Sequence, residues 1–233
     1  MLKITAISGI TLSLLITGCA SQLQQKLLKE TDKGLIAYYP FSGNALDASG
    51  LGHQVTVIGA TLSSDRQGQP QAAYAFNGDD FIDLNMNPGP LFSVTMWFTG
   101  SAGTLLSTHE NSDNRNNFFL QLDGYDCGIA VRGIQGWWSN DMCGGSRDDF
   151  TDNRWHFIAF TSDRGNHKLY LDGELKDALL GNPLSDERSF ILGRRESQGD
   201  FKSFFRGSLD EVRIYNRVLN EEEIEYLFQM DLP

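Results

Sequence analysis

Two aspartates of this chain lie in settings where a carboxylate can bind a cation. Asp210 precedes Val212 and Ile214 at a spacing of two, and side chains two apart on a strand share a face. A carboxylate that faces a core is costly unless it is paired, hydrogen-bonded or bound to a metal. Asp47 lies in a turn-rich loop, residues 42–52, whose backbone carbonyls can converge on one ion. The chemistry of Asp210 therefore depends on the group that it meets.

A pair of adjacent tryptophans is the second candidate for chemistry. Trp137 and Trp138 are followed closely by Asn140. Neighbouring residues of a strand face opposite sides, so only one of the two indoles can enter a core. An exposed indole beside amide groups suits a sugar ring or the centre of a protein contact. In the alternative arrangement, one indole packs inside and the loop covers the other.

Catalysis is not expected from these residues. Glycoside hydrolases act through two carboxylates about 5–9 Å apart, which would appear as closely spaced acids on one strand face. No strand-like segment has that spacing, and the acidic run at residues 221–223 opens a helix, where acids suit the dipole. The four histidines are scattered, and no nucleophile or phosphate-binding motif is present. We therefore predict a protein that binds its ligand without transforming it.

The overall charge limits the class of partner. The formal net charge is −11 at pH 7. A nucleic-acid partner needs a basic face, so this charge argues against one. Acidic surfaces favour solubility and suit proteins that collect cations.

The amino terminus is typical of an export signal that ends in a lipidation site. Residues 4–16 are mostly apolar after a positive start, too short to span a bilayer and typical of a signal peptide. The following segment resembles a bacterial lipobox, which predicts cleavage after residue 18 and acylation of Cys19 by chains such as palmitate. Ala20, by resemblance to lipoprotein sorting signals, favours the outer membrane. Residues 19–33 are then a polar tether.

The two remaining cysteines predict a disulfide. In an exported chain with Cys19 lipidated, Cys127 and Cys143 are the only thiols left. They lie in one local stretch that also holds the tryptophan pair. A cysteine-based metal site would need more ligands than this segment offers.

The elements that must position these residues are mostly strands. Short apolar runs alternate with Gly, Asn and Asp turns from residue 34 onward, which is typical of a sandwich or jelly roll. Residues 92–98 and 103–109 are predicted as two separate strands. One helix is predicted at residues 221–228, with Asn220 as its N-cap and Glu223 completing a capping box. Residues 34–233 are therefore predicted to be one all-β domain with a short C-terminal helix.

Several blocks of this sequence resemble bacterial laminin-G-like domains. The blocks occur in the family's order, and the last is its most specific: residues 34–50, 59–66, 76–82, 155–159, 169–173 and 207–217. The resemblance implies a concanavalin A-like jelly roll of two antiparallel sheets. It also implies frequent calcium sites and the binding of carbohydrate or protein.

The resemblance places a calcium site at Asp47 and Asp210. Ca²⁺ takes six to eight oxygen ligands, and neighbouring first and last strands would bring the two carboxylates together. The alternative is an Asx-turn at Asp47 and an arginine partner for Asp210. For the ligand we expect carbohydrate, bound by Trp137, Trp138 and Asn140. A protein-interaction or adhesion module of the envelope is the alternative, and a divergent glycoside hydrolase is the third reading.

Overall fold

The computed structural model describes most of the chain from residue 25 onward. It describes residues 25–109, 118–122, 127–133, 142–146, 149–150, 152–182, 184, 189–197, 200–230 and 232. The chain divides into two compact units, Met1–Lys33 and Gly34–Pro233. In the first unit, residues 25–31 form helix α1.

The second unit consists of short strands and one helix at its end. The predicted strands overlap observed ones, and the predicted helix is present. The strands are β1 (Leu35–Tyr39), β2 (Thr56–Ile58), β3 (Thr61–Ser63), β4 (Ala73–Asn77), β5 (Phe81–Asp83), β6 (Leu91–Thr108), β7 (Phe119–Leu122), β8 (Ile129–Arg132), β9 (Met142–Gly144), β10 (His156–Asp163), β11 (Asn166–Leu171), β12 (Glu174–Leu180), β13 (Phe190–Leu192), β14 (Arg195–Ser197), β15 (Asp200–Lys202) and β16 (Arg206–Tyr215), and the helix is α2 (Glu221–Met230).

Strand β6 belongs to both layers of the sandwich. Its first half pairs with β10 and β16, and its second half pairs with β7 and β13. The prediction of two separate strands here is wrong, because Gly103 adopts φ +104° and the strand passes from one sheet to the other without ending. Such a φ is open to glycine and costly for other residues. The strand therefore joins the two sheets directly.

The two sheets are antiparallel and are named here A and B. Sheet A has the order β12-β11-β10-β6-β16, with β1 and β4 beside β16 and β3 beside β4. Sheet B has the order β2-β5-β13-β6-β7-β8-β9. The predicted neighbourhood of the first and last strands is confirmed by the pairing of β1 with β16. Strands β14 and β15 form a separate ribbon.

The main core lies between the two sheets. Alternate residues of each strand face it, as the period of two requires. In sheet B the inward residues form one row of cross-strand partners that all belong to or pack on this core: Val57, Ile82, Leu192, Leu106, Leu120, Val131 and Met142. The residues that alternate with this row along each strand face outward, except at the register shift in β6, where Leu105 also belongs to the core.

Helix α2 covers the outer face of sheet A. The predicted capping box is present, because Asn220 Oδ1 accepts from Glu223 N at 2.9 Å and Glu223 Oε2 accepts from Asn220 N at 2.8 Å. Ile224 and Leu227 bury against Trp97 in a second apolar cluster on this face. Neither α1 nor α2 is long and apolar enough to cross a membrane.

The predicted disulfide is confirmed. Cys127 and Cys143 are bonded. Cys127 lies just before β8, and Cys143 lies in β9 opposite Ala130. The bond therefore closes the base of the hairpin that β8 and β9 form.

Candidate functional site

A bulge in β16 decides where Asp210 points. Glu211 adopts φ +52°, and the register with β6 shifts between Asp210, opposite Trp97, and Arg213, opposite Thr95. Directly opposed residues share a face, so Asp210 lies on the side of Trp97, under the second cluster. The prediction that Asp210 faces the main core with Val212 is wrong, because the bulge inserts one residue between them.

The carboxylate of Asp210 is buried against an arginine. Arg66 pairs with Asp210 Oδ2, and the two side chains are 5% and 2% exposed. Glu211 N donates to Asp210 Oδ1 at 2.8 Å. The Arg66 guanidinium also lies 5.2 Å from the centroid of the Trp97 ring. Burial raises the pKa of Asp210 to about 7, although Arg66 acts to lower it.

The Asp47 carboxylate accepts hydrogen bonds from its own loop and from β1. Its Oδ1 accepts from Tyr38 N at 3.0 Å and from Ser49 N at 2.9 Å. Its Oδ2 accepts from the Ser49 hydroxyl at 2.9 Å and from His53 N at 3.0 Å, and lies 2.9 Å from His53 Nδ1. Burial by itself would raise the pKa of Asp47, but these hydrogen bonds hold it well below its usual range.

The contacts of Asp47 and Asp210 do not fit a calcium site. Both Asp47 oxygens and both Asp210 oxygens face N–H or O–H donors, whereas Ca²⁺ requires convergent oxygens. Across the residues that the structure describes, no three His, Cys, Asp or Glu side chains are grouped to hold a metal. The observed contacts are those of the alternative, an Asx-type turn and an arginine partner. Calcium binding stays a prediction, and this donor set argues against it at this pair.

Four other predicted site residues lie outside the described residues. They are Cys19, Trp137, Trp138 and Asn140. The last three belong to the connection between β8 and β9. The disulfide joins the segments on either side of this connection, and Arg132 is the last residue of β8 before it.

The outer face of sheet B carries a mixed row of polar and apolar residues that runs from β2 to β8. Directly opposed residues of antiparallel strands share a face, so the row can be read from the register. It lies one residue from the inward row and contains Thr56, Asp83, Ile191, Ser107, Phe119 and Arg132. Phe119 is 7% exposed, whereas Arg132 is half-buried at the edge of the row.

Two arginines that follow β13 lie over aromatic rings of this sheet. The Arg195 guanidinium is 4.7 Å from the centroid of the Phe119 ring, and that of Arg194 is 3.6 Å from the Phe81 ring. Ser107 Oγ donates to the Arg194 carbonyl at 2.8 Å. This hydrogen bond holds the backbone that carries both arginines against the sheet. Cation–π contacts of this kind hold a guanidinium plane in place.

The carboxylate of this row is already engaged. His109 Nε2 lies 2.8 Å from Asp83 Oδ2, and Asn85 N donates to Asp83 Oδ1 at 2.9 Å. Burial by itself would raise the pKa of Asp83, but His109, Asn85 and Arg194 together lower it. Asp83 is therefore an ionised, hydrogen-bonded carboxylate at neutral pH.

Beside the row, two buried polar atoms have no hydrogen-bond partner among the described residues. Thr104 and Gln121 are cross-strand partners on the outer face of sheet B. Thr104 is 0% exposed, and its Oγ1 and the Oε1 of Gln121 are both buried without a partner. Native proteins leave few such atoms, because each costs about 1–3 kcal/mol. Tyr39 Oη, Thr95 Oγ1 and Trp97 Nε1 are also buried without a partner among the described residues, but Thr104 and Gln121 lie directly opposite each other on one face, and this pairing indicates a polar site.

The outer face of sheet B was not predicted from the sequence. The alternation of Phe119 and Gln121 with Leu120 and Leu122 indicates that one side of β7 carries an aromatic and a polar residue. What no local pattern supplied was the register that sets Arg132 beside Phe119. The approach of Arg195 to the same ring depends on contacts 76 positions apart in the chain, 195 against 119.

Comparisons with known proteins agree with this architecture. Residues 76–225, more than half of the chain, match the family model for a laminin-G-like domain of the concanavalin A-like lectin/glucanases superfamily. A sequence comparison with curated proteins finds no match.

Solved structures with the same fold come from a glycosidase and from toxins. Domain 4 of AbnA, a GH43 extracellular arabinanase from Geobacillus stearothermophilus, matches with TM-score 0.65 and 22% identity, covering 84% of this chain and 98% of that one. The binding domain of Paraclostridial Mosquitocidal Protein 1 matches with TM-score 0.66 and 18% identity, covering 85% and 52%. The botulinum neurotoxin serotype D binding domain gives 0.60 and 18%, covering 86% and 52%, so the chain spans about half of each toxin domain.

These structural similarities are at low identity and show the fold. The matched residues run from β4 into α2. They include β6 and its neighbours in both sheets, which are β10 and β16 in sheet A and β7 and β13 in sheet B. The chain belongs to the concanavalin A-like lectin/glucanase superfamily.

Proposed function

We propose that this protein is a non-catalytic carbohydrate-binding module whose ligand lies on the outer face of sheet B. The observation that carries the proposal is the pair of buried, unpartnered atoms, Thr104 Oγ1 and Gln121 Oε1, on one sheet face. A sugar offers many hydroxyl groups that both donate and accept. It therefore suits a face where a hydroxyl and an amide oxygen each need a partner.

The surroundings of these atoms suit a polar ligand. Arg132 lies in the same face as Phe119, on the strand next to it, and Arg195 lies over the Phe119 ring. Ring stacking would come from the connection between β8 and β9, which contains Trp137 and Trp138. Indole faces are well suited to the apolar sides of sugar rings.

Two of the structural relatives support a carbohydrate ligand. The arabinanase domain was determined in complex with arabinotriose, and a binding domain of botulinum neurotoxin DC in complex with SialylT. The second of these matches with TM-score 0.62 and 15% identity. They make a carbohydrate the first class of ligand to test here.

Binding without catalysis is supported by the acids of the row. Asp83 is the one carboxylate in the row as the structure describes it, and His109 and Asn85 occupy its oxygens. Hydrolysis of a glycoside needs a second carboxylate across the bond. A release assay for reducing sugar on the glycan that binds is expected to show no product.

The test of binding uses a variant that leaves the fold intact. Thr104→Val keeps the shape of the side chain and removes the unpartnered hydroxyl. We expect the full mature protein to bind glycans on an array and in calorimetric titration, and Thr104→Val to bind the same glycan about tenfold more weakly. Val218→Ala, in the exposed segment before α2, is the matched control with unchanged affinity. A protein that binds no glycan, or a Thr104→Val variant with full affinity, would overturn the proposal.

We further propose that the module is held at the outer membrane through Cys19. The lipobox-like segment and the predicted tether support this placement. Labelled fatty acid should be incorporated into the wild type and not into Cys19→Ala, which should also leave the membrane fraction. Label in Cys19→Ala would contradict the anchor.

A second candidate function is protein interaction in the envelope. It is favoured by the loop that Asp47 braces, where Leu46 is 66% exposed and Leu51 is 63% exposed. A relative, the binding domain of botulinum neurotoxin DC, was determined in complex with rat synaptotagmin II. Cross-linking in cells to a purified, identified partner that persists with excess sugar, and is lost in Leu46→Ser with Leu51→Ser, would support this function.

A further inference from the structure

We propose that His156 is the centre of a pH-sensitive latch that holds the connection between β9 and β10 against sheet A. When the ring is protonated it is bonded to Asp152 and Asp172, and loss of one proton releases Asp152 together with Phe150 of the same connection. The latch belongs to the fold itself, so it stands whether or not a glycan binds on sheet B.

Both ring nitrogens of His156 face carboxylate oxygens. His156 is the first residue of β10, and its side chain is 6% exposed. Nδ1 lies 2.9 Å from Asp172 Oδ2, and Nε2 lies 3.2 Å from Asp152 Oδ1. A neutral imidazole has one N–H, whereas the imidazolium has two and can donate to both carboxylates. The arrangement is therefore complete only when the ring is protonated.

The two carboxylates are held in different ways. Asp172 follows β11; its Oδ1 accepts from Phe157 N at 2.8 Å, and its own N donates to the Phe157 carbonyl at 2.8 Å. Asp172 is therefore fixed to β10 without the histidine. Asp152 lies on the connection before β10, where its other partner among the described residues is Arg154, two positions along the chain. The contact with His156 is therefore what ties Asp152 to the sheet.

The charge of the ring decides whether this contact is attractive. Burial by itself would lower the pKa of His156, but the hydrogen bonds and charges of Asp172 and Asp152 raise it above its ordinary value of 6.5. The stability that the contact contributes is then fully present below pH 6.5 and is lost as pH rises through the raised pKa. The remaining N–H stays at Nδ1, because Asp172 is the nearer and better fixed acceptor. A lone pair of Nε2 then faces Asp152.

His156 is the group of this cluster whose charge changes near neutral pH. Phe98 of β6 and Phe150 of the connection pack on its ring and carry no charge. Solvent-accessible carboxylates, lysines and arginines keep their charge between about pH 6 and 9. The charged residues on the elements packed around His156 are Asp149, Asp152, Arg154, Asp172, Lys176 and Glu225.

Phe150 couples the latch to the hairpin that the disulfide closes. It lies two residues before Asp152, is 4% exposed and meets the His156 ring edge-on, with 5.2 Å between the ring centroids. Its ring also covers Gly128 and Gly145, where a Cβ atom on either glycine would lie 2.6 Å from a ring carbon. These glycines flank the disulfide, and Gly128 N donates to the Gly145 carbonyl at 3.0 Å. Release of Asp152 therefore loosens the packing at the base of the β8–β9 hairpin.

Hydrogen exchange of the full mature protein without glycan tests the latch. Rates are measured at pH 6 and pH 9 and corrected for the intrinsic pH dependence of amide exchange. We expect the corrected rate in a peptide that covers residues 150–156 to rise about tenfold from pH 6 to pH 9, because one hydrogen bond to a charged group is lost. The same corrected rate at both pH values in the wild type would overturn the latch.

Three variants separate the latch from a role in packing alone. Asp152→Asn, on the exposed connection, places an amide opposite Nε2 that can accept from an N–H or donate to a lone pair, so the tenfold rise should disappear. His156→Gln is uncharged at both pH values and should exchange fast at both. His53→Gln, at the histidine that pairs with Asp47, is the control and should keep the rise. A rise that persists in Asp152→Asn, or that His53→Gln abolishes equally, would overturn the assignment to His156.

An NMR titration of the His156 ring gives a second readout that packing alone would not move. We expect a titration midpoint above pH 6.5 in the wild type and a lower midpoint in Asp152→Asn, which removes one of the two negative charges. A midpoint at or below 6.5 in the wild type, or one that Asp152→Asn leaves unchanged, would contradict the latch.

Discussion

The outer faces of sheets A and B are built from similar strands but differ in the groups that lie on them. On sheet A, α2 buries Trp97 within an apolar cluster, and the carboxylate of Asp210 below it is paired with Arg66. On sheet B, the buried atoms Thr104 Oγ1 and Gln121 Oε1 have no partner among the described residues. Sheet A also buries two atoms without a partner among the described residues, Thr95 Oγ1 and Trp97 Nε1, but α2 packs over that face. On sheet B the unpaired atoms lie two residues along β7 from Phe119, the ring that Arg195 covers. Buried groups left unpaired beside a charged side chain mark a place where function overrides stability.

Breaking the buried ion pair of sheet A should have the largest effect. Asp210→Ala removes the carboxylate that pairs with the Arg66 guanidinium, whose side chain is 5% exposed. We expect the free energy of unfolding to fall by about 3–5 kcal/mol, measured by urea denaturation. The double variant Arg66→Met with Asp210→Leu removes both charges and should recover most of the loss. An Asp210→Ala protein as stable as the wild type would show that the pair is not a closed structural unit.

The pH dependence of stability gives a smaller effect on the same face. Burial, opposed by Arg66, raises the pKa of Asp210 from 3.8 to about 7. The folded state then holds this proton more tightly than the unfolded chain, so this group makes the free energy of unfolding decrease as pH rises from 3.8 toward about 7. The depressed pKa of Asp47 acts oppositely, and its contribution is lost only as pH falls below 3.8.

A comparison of two variants isolates this contribution. Urea midpoints measured at several pH values between 4 and 8 should decrease with pH less steeply in Asp210→Asn than in the wild type. Asp79→Asn, in the exposed turn between β4 and β5, is the control and should keep the slope of the wild type. Parallel curves for the wild type and Asp210→Asn would contradict the raised pKa.

On sheet B, Thr104→Val should change stability slightly and in the opposite direction. Removing a buried hydroxyl that has no partner among the described residues relieves its desolvation, so the free energy of unfolding should stay the same or rise by up to about 1 kcal/mol. Thermal denaturation without glycan measures this. The same substitution at Thr161, a buried threonine of sheet A, is the matched control for this measurement. A clear loss of stability in Thr104→Val would show that this hydroxyl is structural.

Calcium should have the smallest effect of all. The oxygens of Asp47 and Asp210 already face N–H and O–H donors, so we expect one melting temperature with chelator and with calcium. A melting temperature that rises with calcium, and does so less in Asp47→Asn, would restore the site predicted from the family resemblance.

Local pattern predicted the elements better than their assembly. The Asn220–Glu223 capping box and the disulfide were readable because each depends on few residues and simple chemistry. The sequence did not predict which face of the sheet Asp210 lies on, because a bulge at Glu211 reverses the alternation of faces that the spacing from Val212 suggests. The outer row of sheet B required the register of β6, β7 and β8, which long-range pairing sets and local alternation does not reveal.

The proposed ligand site lies on sheet B and not on sheet A. Hydrogen exchange followed by mass spectrometry, with and without a saturating glycan from the array, tests it directly. We predict slower exchange in peptides that cover β7 and β8, and unchanged exchange in α2, which covers sheet A. Protection confined to α2 and its neighbours on sheet A, with β7 and β8 unchanged, would contradict this account.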